Sequence, residues 1–257
     1  MKSCPFGVPT VTINKSPEQL FSTVLLKELD FAHLACDKPN TVYELLYPKK
    51  IWAGEQVCKA TKAFMDEGKT YYEVRQDIKY YIEEPLRTDE EVSLYSSYDQ
   101  NHNSVCLAIH EKFANGNQCA LYYKDGPLRH LLNDGDTWQS ESLVFEDEKW
   151  VLDISCQNTV SSNWIVRING KEIPCIEQSV LAIPYRGDPP KAEAPEFVNK
   201  YYFNEDGLCV LQRRYMGAVW AKWKSEFWEK LKGNPLVTEN KERFYLYCDY
   251  IPENVLA

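Results

Sequence analysis

Glu111 falls in the alternation Val105, Leu107, Ile109, Phe113, and every second residue of a strand lies on the same side. Two other segments break an apolar alternation in the same way. Gln76 interrupts Tyr72, Val74, Ile78 and Tyr80, and Gln212 and Arg214 share a side with Leu208 and Val210. Burying a carboxylate, guanidinium or amide costs several kcal/mol unless a partner compensates it. The residues Tyr72, Gln76, Tyr80, Glu111, Gln212 and Arg214 are therefore the candidate ligand-binding set. Glu111 and Arg214 would form an interior pair or hold the polar end of a ligand. The plain alternative is that each lies near a strand end and reaches water.

Other chemistries find little support. Cys106 and His110 share a strand face, but four strand residues span roughly 13 Å, so they cannot form a dyad. No G-x-S-x-G elbow is present, and none of the 11 glycines cluster into a phosphate-cradling loop. His33, His102, His110 and His130 are far apart, and the nine cysteines show no C-x-x-C spacing, so neither a metal nor a cofactor is expected. The acidic runs Glu83-Glu84, Asp89-Glu90-Glu91 and Glu146-Asp147-Glu148 read as solvated turns. Arg213 and Arg214 point to opposite faces, so at most one of them is interior.

A formal charge of −9, with no basic stripe, argues against nucleic acid and against an anionic membrane surface. No apolar stretch reaches the length of a spanning helix, and residues 1–13 lack the apolar core of a secretory signal. With an odd number of cysteines, these features predict a cytoplasmic protein with free thiols.

The elements that must position the candidates are mostly strands. Tyr- and Val-rich segments follow one another between residues 70 and 250, separated by Asn115-Gly116-Asn117, Asn133-Asp134-Gly135-Asp136, Asn169-Gly170 and Asp206-Gly207. The Asn-Gly pair between Trp164–Ile168 and Lys171–Ile173 is the strongest hairpin signal. The expected fold is mainly β (α+β): an antiparallel meander closing into a β-barrel of lipocalin-like architecture, with an N-terminal helical pair and one C-terminal helix. Residues 1–15 read as an extended arm and 16–257 as a single domain, with helices near 17–36, 55–67 and 218–232. Ser16-Pro17-Glu18-Gln19 resembles a capped helix start, and Gly68 a helix stop. Gly187–Pro195, rich in proline, reads as a long loop or seam.

The functional expectation is an interior that binds an elongated apolar or aromatic small molecule of the lipid, pigment or isoprenoid class. One alternative is a cofactor-independent isomerase, cyclase or lyase using the same cavity. Another is a non-catalytic interaction or assembly factor that docks a protein partner through the arm or the helix near 218–232.

Overall fold

The computed structural model describes residues 9–26, 40–46, 51–66, 69–80, 88–96, 103–104, 106–113, 118–123, 128–146, 149–187, 189, 191–192, 197–216 and 242–247. Among them the chain is mainly β, with strands β1 (Val11–Lys15), β2 (Thr23–Leu25), β3 (Asn40–Leu46), β4 (Ile51–Asp66), β5 (Lys69–Tyr80) and β6 (Thr88–Ser96). There follow β7 (Asn103–Ser104), β8 (Cys106–Phe113), β9 (Gln118–Tyr123), β10 (Leu128–Arg129), β11 (Leu131–Asn133) and β12 (Thr137–Glu146). The last six are β13 (Lys149–Ile168), β14 (Lys171–Arg186), β15 (Lys191–Ala192), β16 (Phe197–Phe203), β17 (Cys209–Met216) and β18 (Glu242–Tyr247).

All of the pairings are antiparallel. The arc β12–β13–β14–β16–β17 curls as a half-barrel, and β18, β3, β4, β5, β6, β8 and β9 continue the pairing order from β17 back to β12. Of the fourteen strands in this sheet, β1 and β15 are appended to β13 and β14, and the other twelve are linked in sequence. Two small ribbons, β2 with β11 and β7 with β10, lie outside that order.

Turn chemistry accounts for the tightest connections. Ile168 stands opposite Lys171, which leaves Asn169 and Gly170 as a two-residue turn with φ of 50° and 82°. Both angles lie in the left-handed region that Asn and Gly reach at low cost. In the loop before β12, Asp136 Oδ2 accepts from the Asn133 amide at 2.9 Å, and Asp134 Oδ1 accepts from the Ser162 amide at 2.7 Å. The proline-rich segment after β14 folds back, with Arg186 opposite Lys191 and Tyr185 opposite Ala192.

The expected N-terminal helical pair requires correction. No helix occurs among the described residues. The first half of the helix near 17–36 is instead a turn followed by β2, and residues 27–36 lie outside the described set. Ser16 Oγ does accept a backbone amide, but from Glu18 at 3.1 Å in a local turn. The Leu20 amide bonds Asn163 Oδ1 at 2.8 Å and the Ser16 amide bonds the Asn163 carbonyl at 2.7 Å, so tertiary partners hold this stretch. Asn163 itself has φ of 63°, at the irregularity where the β13–β14 register shifts. From Thr23 onward the burial alternates with period two, Val24 buried between exposed Thr23 and Leu25.

The helix near 55–67 is likewise corrected: residues 55–66 belong to β4, which is paired by β3 on one edge and β5 on the other, and residue 67 lies outside the described residues. A register shift between Lys62 and Phe64 resets the phase of β4. Neither face then shows a clean alternation, and the residual pattern imitates a helical period. Part of the expected arm is also strand, since Val11–Lys15 pairs with Trp164–Ile168. The helix near 218–232 lies outside the described residues. Among the described residues, no helix is long and apolar enough to cross a membrane.

Candidate functional site

Directly opposed residues in an antiparallel pair share a face, and so do residues two apart on one strand. The register therefore assigns faces around the sheet. Val160 stands opposite Gln178, Gln178 opposite Tyr201, and Tyr201 opposite Gln212. One residue pair along, Trp138 is opposite Asn158, Asn158 opposite Val180, and Val180 opposite Asn199. Ser140 and Ser142 lie on the same face of β12.

This amide face is buried along the described arc. Ser140, Ser142, Asn158, Gln178, Asn199 and Gln212 all lie in the buried class, whereas Thr137, Gln139, Gln157 and Thr159 on the opposite face are exposed. Uncharged polar groups occupying the sheltered side of five neighbouring strands need partners, because each orphaned group costs about 1–3 kcal/mol. Some of these partners are mutual. Asn158 Nδ2 donates to Ser140 Oγ at 3.4 Å, and Gln178 Nε2 donates to Asn158 Oδ1 at 3.2 Å. Asn199 Nδ2 lies 3.5 Å from the Tyr201 hydroxyl.

Next to the amides on this face, Tyr201 and Phe203 stack with centroids 6.3 Å apart. An apolar cap of Val24 and Leu26 from the N-terminal segment and Leu132 from β11 packs on Val160, Ile176, Phe203 and Cys209, with Phe21, Trp138 and Tyr201 beside it. One end of the amide face is thus closed by an apolar layer, and hydrogen-bonding side chains begin directly beyond it.

The six sequence-predicted residues map onto this same face. From Gln212 the register passes through Tyr245, Glu44 and Gly54 to Tyr80. Tyr72 and Gln76 share the β5 side of Tyr80. Gln76 is opposite Glu91, Glu91 opposite Glu111, and Glu111 opposite Cys119. Tyr123, on the Cys119 side of β9, is opposite Ser142, which returns the path to the amide face where it began. Arg214 lies two residues beyond Gln212, opposite both Asn199 and Arg243. Gln212 is the one member of the set whose side chain is described, and it is buried.

A shared face does not bring the set to one point. Eight strand residues separate Tyr72 from Tyr80, roughly 27 Å along β5, so the set is spread along the strand. The expected companions of Gln212 also change. A register shift between Tyr202 and Phe203 puts Cys209 opposite Phe203, so Cys209 joins the amide face while Val210 occupies the bulge. Asn158, Gln178, Asn199, Ser140, Ser142 and Trp138 were missed by sequence reasoning. The signal that picked out Gln76 applies to two of them: Asn158 interrupts Ile154, Cys156 and Val160, and Gln178 interrupts Ile176, Val180 and Ala182.

Burial disfavours the thiolate of Cys156, one of the cysteines on this face. Burial pushes the Cys156 thiol up from 9.0 to about 11, against a smaller opposing effect from its hydrogen bond with Ser140. Burial raises Cys175 as well, and Cys156, Cys175 and Cys209 are all free thiols. Because the folded pKa of Cys156 exceeds its ordinary value, its contribution to stability is fully present below pH 9.0 and is lost as the pH rises through about 11. Iodoacetamide applied to the native protein at pH 8 should leave Cys156 and Cys175 largely unmodified. Peptide mapping should show Cys156 alkylation rising about tenfold per pH unit toward 11. Among the described residues, no group of His, Cys, Asp and Glu is arranged to hold a metal ion.

No protein-family model matches this chain, and no curated protein or solved structure is significantly similar to it.

Proposed function

We propose that the sheet closes into a barrel and that its interior binds a flat, largely aromatic small molecule carrying polar substituents. The observation behind this reading is the amide face: six buried, uncharged polar side chains on neighbouring strands, beside Trp138, Tyr201 and Phe203. An interior meant only to be packed would be filled by aliphatic side chains, without the cost of desolvating amides. A pocket that grips an apolar body and fixes its orientation needs this mixture of aromatic wall and a few hydrogen-bonding groups.

Closure is supported by the register, which returns to the same face after the whole circuit. A slip of one residue in any pairing would exchange the faces. Twelve strands spaced about 4.8 Å apart and tilted by about 40° enclose a backbone cylinder roughly 24 Å across, wider than the eight-stranded barrels whose side chains fill them. Amides favour a ring system bearing carbonyl, hydroxyl or N–H groups over a bare acyl or isoprenoid chain. That narrows the expected ligand classes toward a pigment-like molecule.

The surroundings fit an aqueous, reducing compartment such as the cytoplasm. On the opposite face Thr137, Gln139, Gln157 and Thr159 of β12 and β13 are exposed and polar, whereas Glu177, Tyr202 and Leu211 are buried there, so that face is not the continuous apolar outward band of a membrane barrel. Free thiols at Cys156, Cys175 and Cys209 suit a compartment that keeps them reduced.

Native mass spectrometry of freshly purified protein tests this reading. The expected spectrum shows an adduct of a few hundred daltons that is released on unfolding and absorbs in the near ultraviolet or visible. A bare-chain mass, combined with no saturable binding of neutral aromatic dyes, would exclude an interior ligand site.

A further inference from the structure

Trp138 has a hydrogen-bond donor with no acceptor among the described residues. Its indole Nε1 is buried, although Trp138 stands opposite Asn158 in the midst of the amide face. The neighbouring polar groups are directed elsewhere. Asn158 Nδ2 lies within 3.5 Å of the Trp138 carbonyl and within 3.4 Å of Ser140 Oγ, so it engages the Trp138 backbone rather than the ring. The Arg129 guanidinium lies over the ring, 4.4 Å from its centroid, where it fixes the plane of the indole without receiving its N–H. The ring also packs against the apolar cap, which limits its freedom to turn toward water. Gln178 donates through Nε2 to Asn158 on the same face.

A buried tryptophan normally finds an acceptor for its N–H. Here the ring plane is set by a cation, the indole nitrogen is shielded from water, and the described residues provide no acceptor. We propose that the Trp138 indole N–H is a ligand contact that receives a carbonyl oxygen of an uncharged ring molecule. The proposal rests on the interior-binding reading and adds to it the atom that selects the ligand. It names the chemistry as a neutral conjugated ketone or lactam, held with its carbonyl toward β12 and its ring beside Tyr201 and Phe203.

Two probes that differ by one group test the assignment on the full chain. One is 6-propionyl-2-(dimethylamino)naphthalene, whose emission reports hydrogen bonding to its ketone. The other is 2-(dimethylamino)naphthalene, which has the ring but no carbonyl. Trp138→Phe should weaken the ketone about tenfold, the equivalent of about 1.4 kcal/mol, and leave the parent ring within about twofold. In the wild-type protein, the ketone but not the parent ring should shift one indole N–H proton resonance downfield. Resonance assignment of the wild-type spectrum identifies it as Trp138. That second measurement holds even if the variant folds poorly.

Equal weakening of both probes, or no indole shift on ketone binding, would reduce Trp138 to an apolar wall and overturn the assignment while the site itself stands. Failure of both probes to bind the wild-type chain, together with a bare-chain mass, would overturn the interior-binding reading, and this assignment with it.

Discussion

Replacing Leu132 with Ala is expected to cost about 3 kcal/mol of stability, the size typical of a fully buried leucine whose neighbours cannot collapse into the space. Leu132 is 0% exposed and belongs to the short strand β11, opposite Val24 of β2. Both side chains press onto Val160, Ile176, Phe203 and Cys209. The ribbon itself is slight, three residues on each side, and a two-stranded ribbon has little stability alone. Its attachment therefore depends on a few apolar side chains and on backbone bonds such as Leu26 N to His130 O at 2.8 Å.

Leu25 is the internal control. It sits on the same ribbon but is 51% exposed, so Leu25→Ala should change stability by less than about 0.5 kcal/mol. Urea titrations of the two variants measure the contrast. Comparable losses at Leu25 and Leu132 would mean that the ribbon does not seat on the sheet as described. A functional readout follows from the same geometry. If the cap closes one mouth of a ligand site, Leu132→Ala should speed release of a bound naphthalene probe more than it weakens global stability would suggest.

Much of the architecture was legible in the sequence wherever alternation and turn residues agreed. The hairpin at Asn169-Gly170 is one such place, because a two-residue turn needs positive φ at both positions and this pair supplies it. Strand β9, Gln118–Tyr123, is another, since it begins directly after the turn residues Asn115-Gly116-Asn117. Reading failed where tertiary pairing overrode local composition. Gln157 to Asn163, the sequence QNTVSSN, has the composition of a loop, yet it forms the middle of the 20-residue strand β13. Residues 157–161 are paired by β14 along one edge, and 157–159 by β12 along the other. That loop-like composition hid Asn158, and with it the centre of the amide face.

The six candidate residues were chosen because they broke an apolar alternation, and that criterion does not depend on knowing which strands are neighbours. Register supplies the neighbours. It places Glu91 opposite Glu111 and Tyr80 in the same row as Gln212, relations between segments 20 to 130 residues apart that no local pattern encodes. Ser16-Pro17 failed for the opposite reason. Its local signal for a helix start was sound, but Asn163, 143 residues away from Leu20, took the amide through its side chain. Propensity is a weak prior beside a specific tertiary hydrogen bond.

Lys200→Met is expected to cost about 2 kcal/mol, because it strands a carboxylate on the face opposite the amides. Glu177 is nearly sheltered, with 5% of its side chain exposed, and Lys200 Nζ lies 3.1 Å from one oxygen and 3.3 Å from the other. The Tyr202 hydroxyl donates to Glu177 Oε2 at 2.6 Å from a ring that is itself fully buried. Removing the ammonium leaves the carboxylate with only the Tyr202 hydrogen bond among the described residues. Because 26% of the Lys200 side chain remains exposed, water can screen part of the loss, which places the cost below the 3–5 kcal/mol typical of fully buried pairs. Methionine keeps the apolar stem, so the loss reports charge rather than packing. Lys200 also lies over Trp164, 5.6 Å from its centroid, while Trp164 meets Tyr202 edge-on at 6.0 Å. The pair is therefore part of an aromatic cluster that joins β13, β14 and β16. Adding Glu177→Gln to Lys200→Met should recover much of the stability, since a neutral amide can still accept the Tyr202 hydroxyl without demanding a counter-charge. Urea denaturation of the two single variants and the double variant gives the coupling energy directly. Additive losses would show that Glu177 and Lys200 act independently, and would remove the ion pair as a link between these strands.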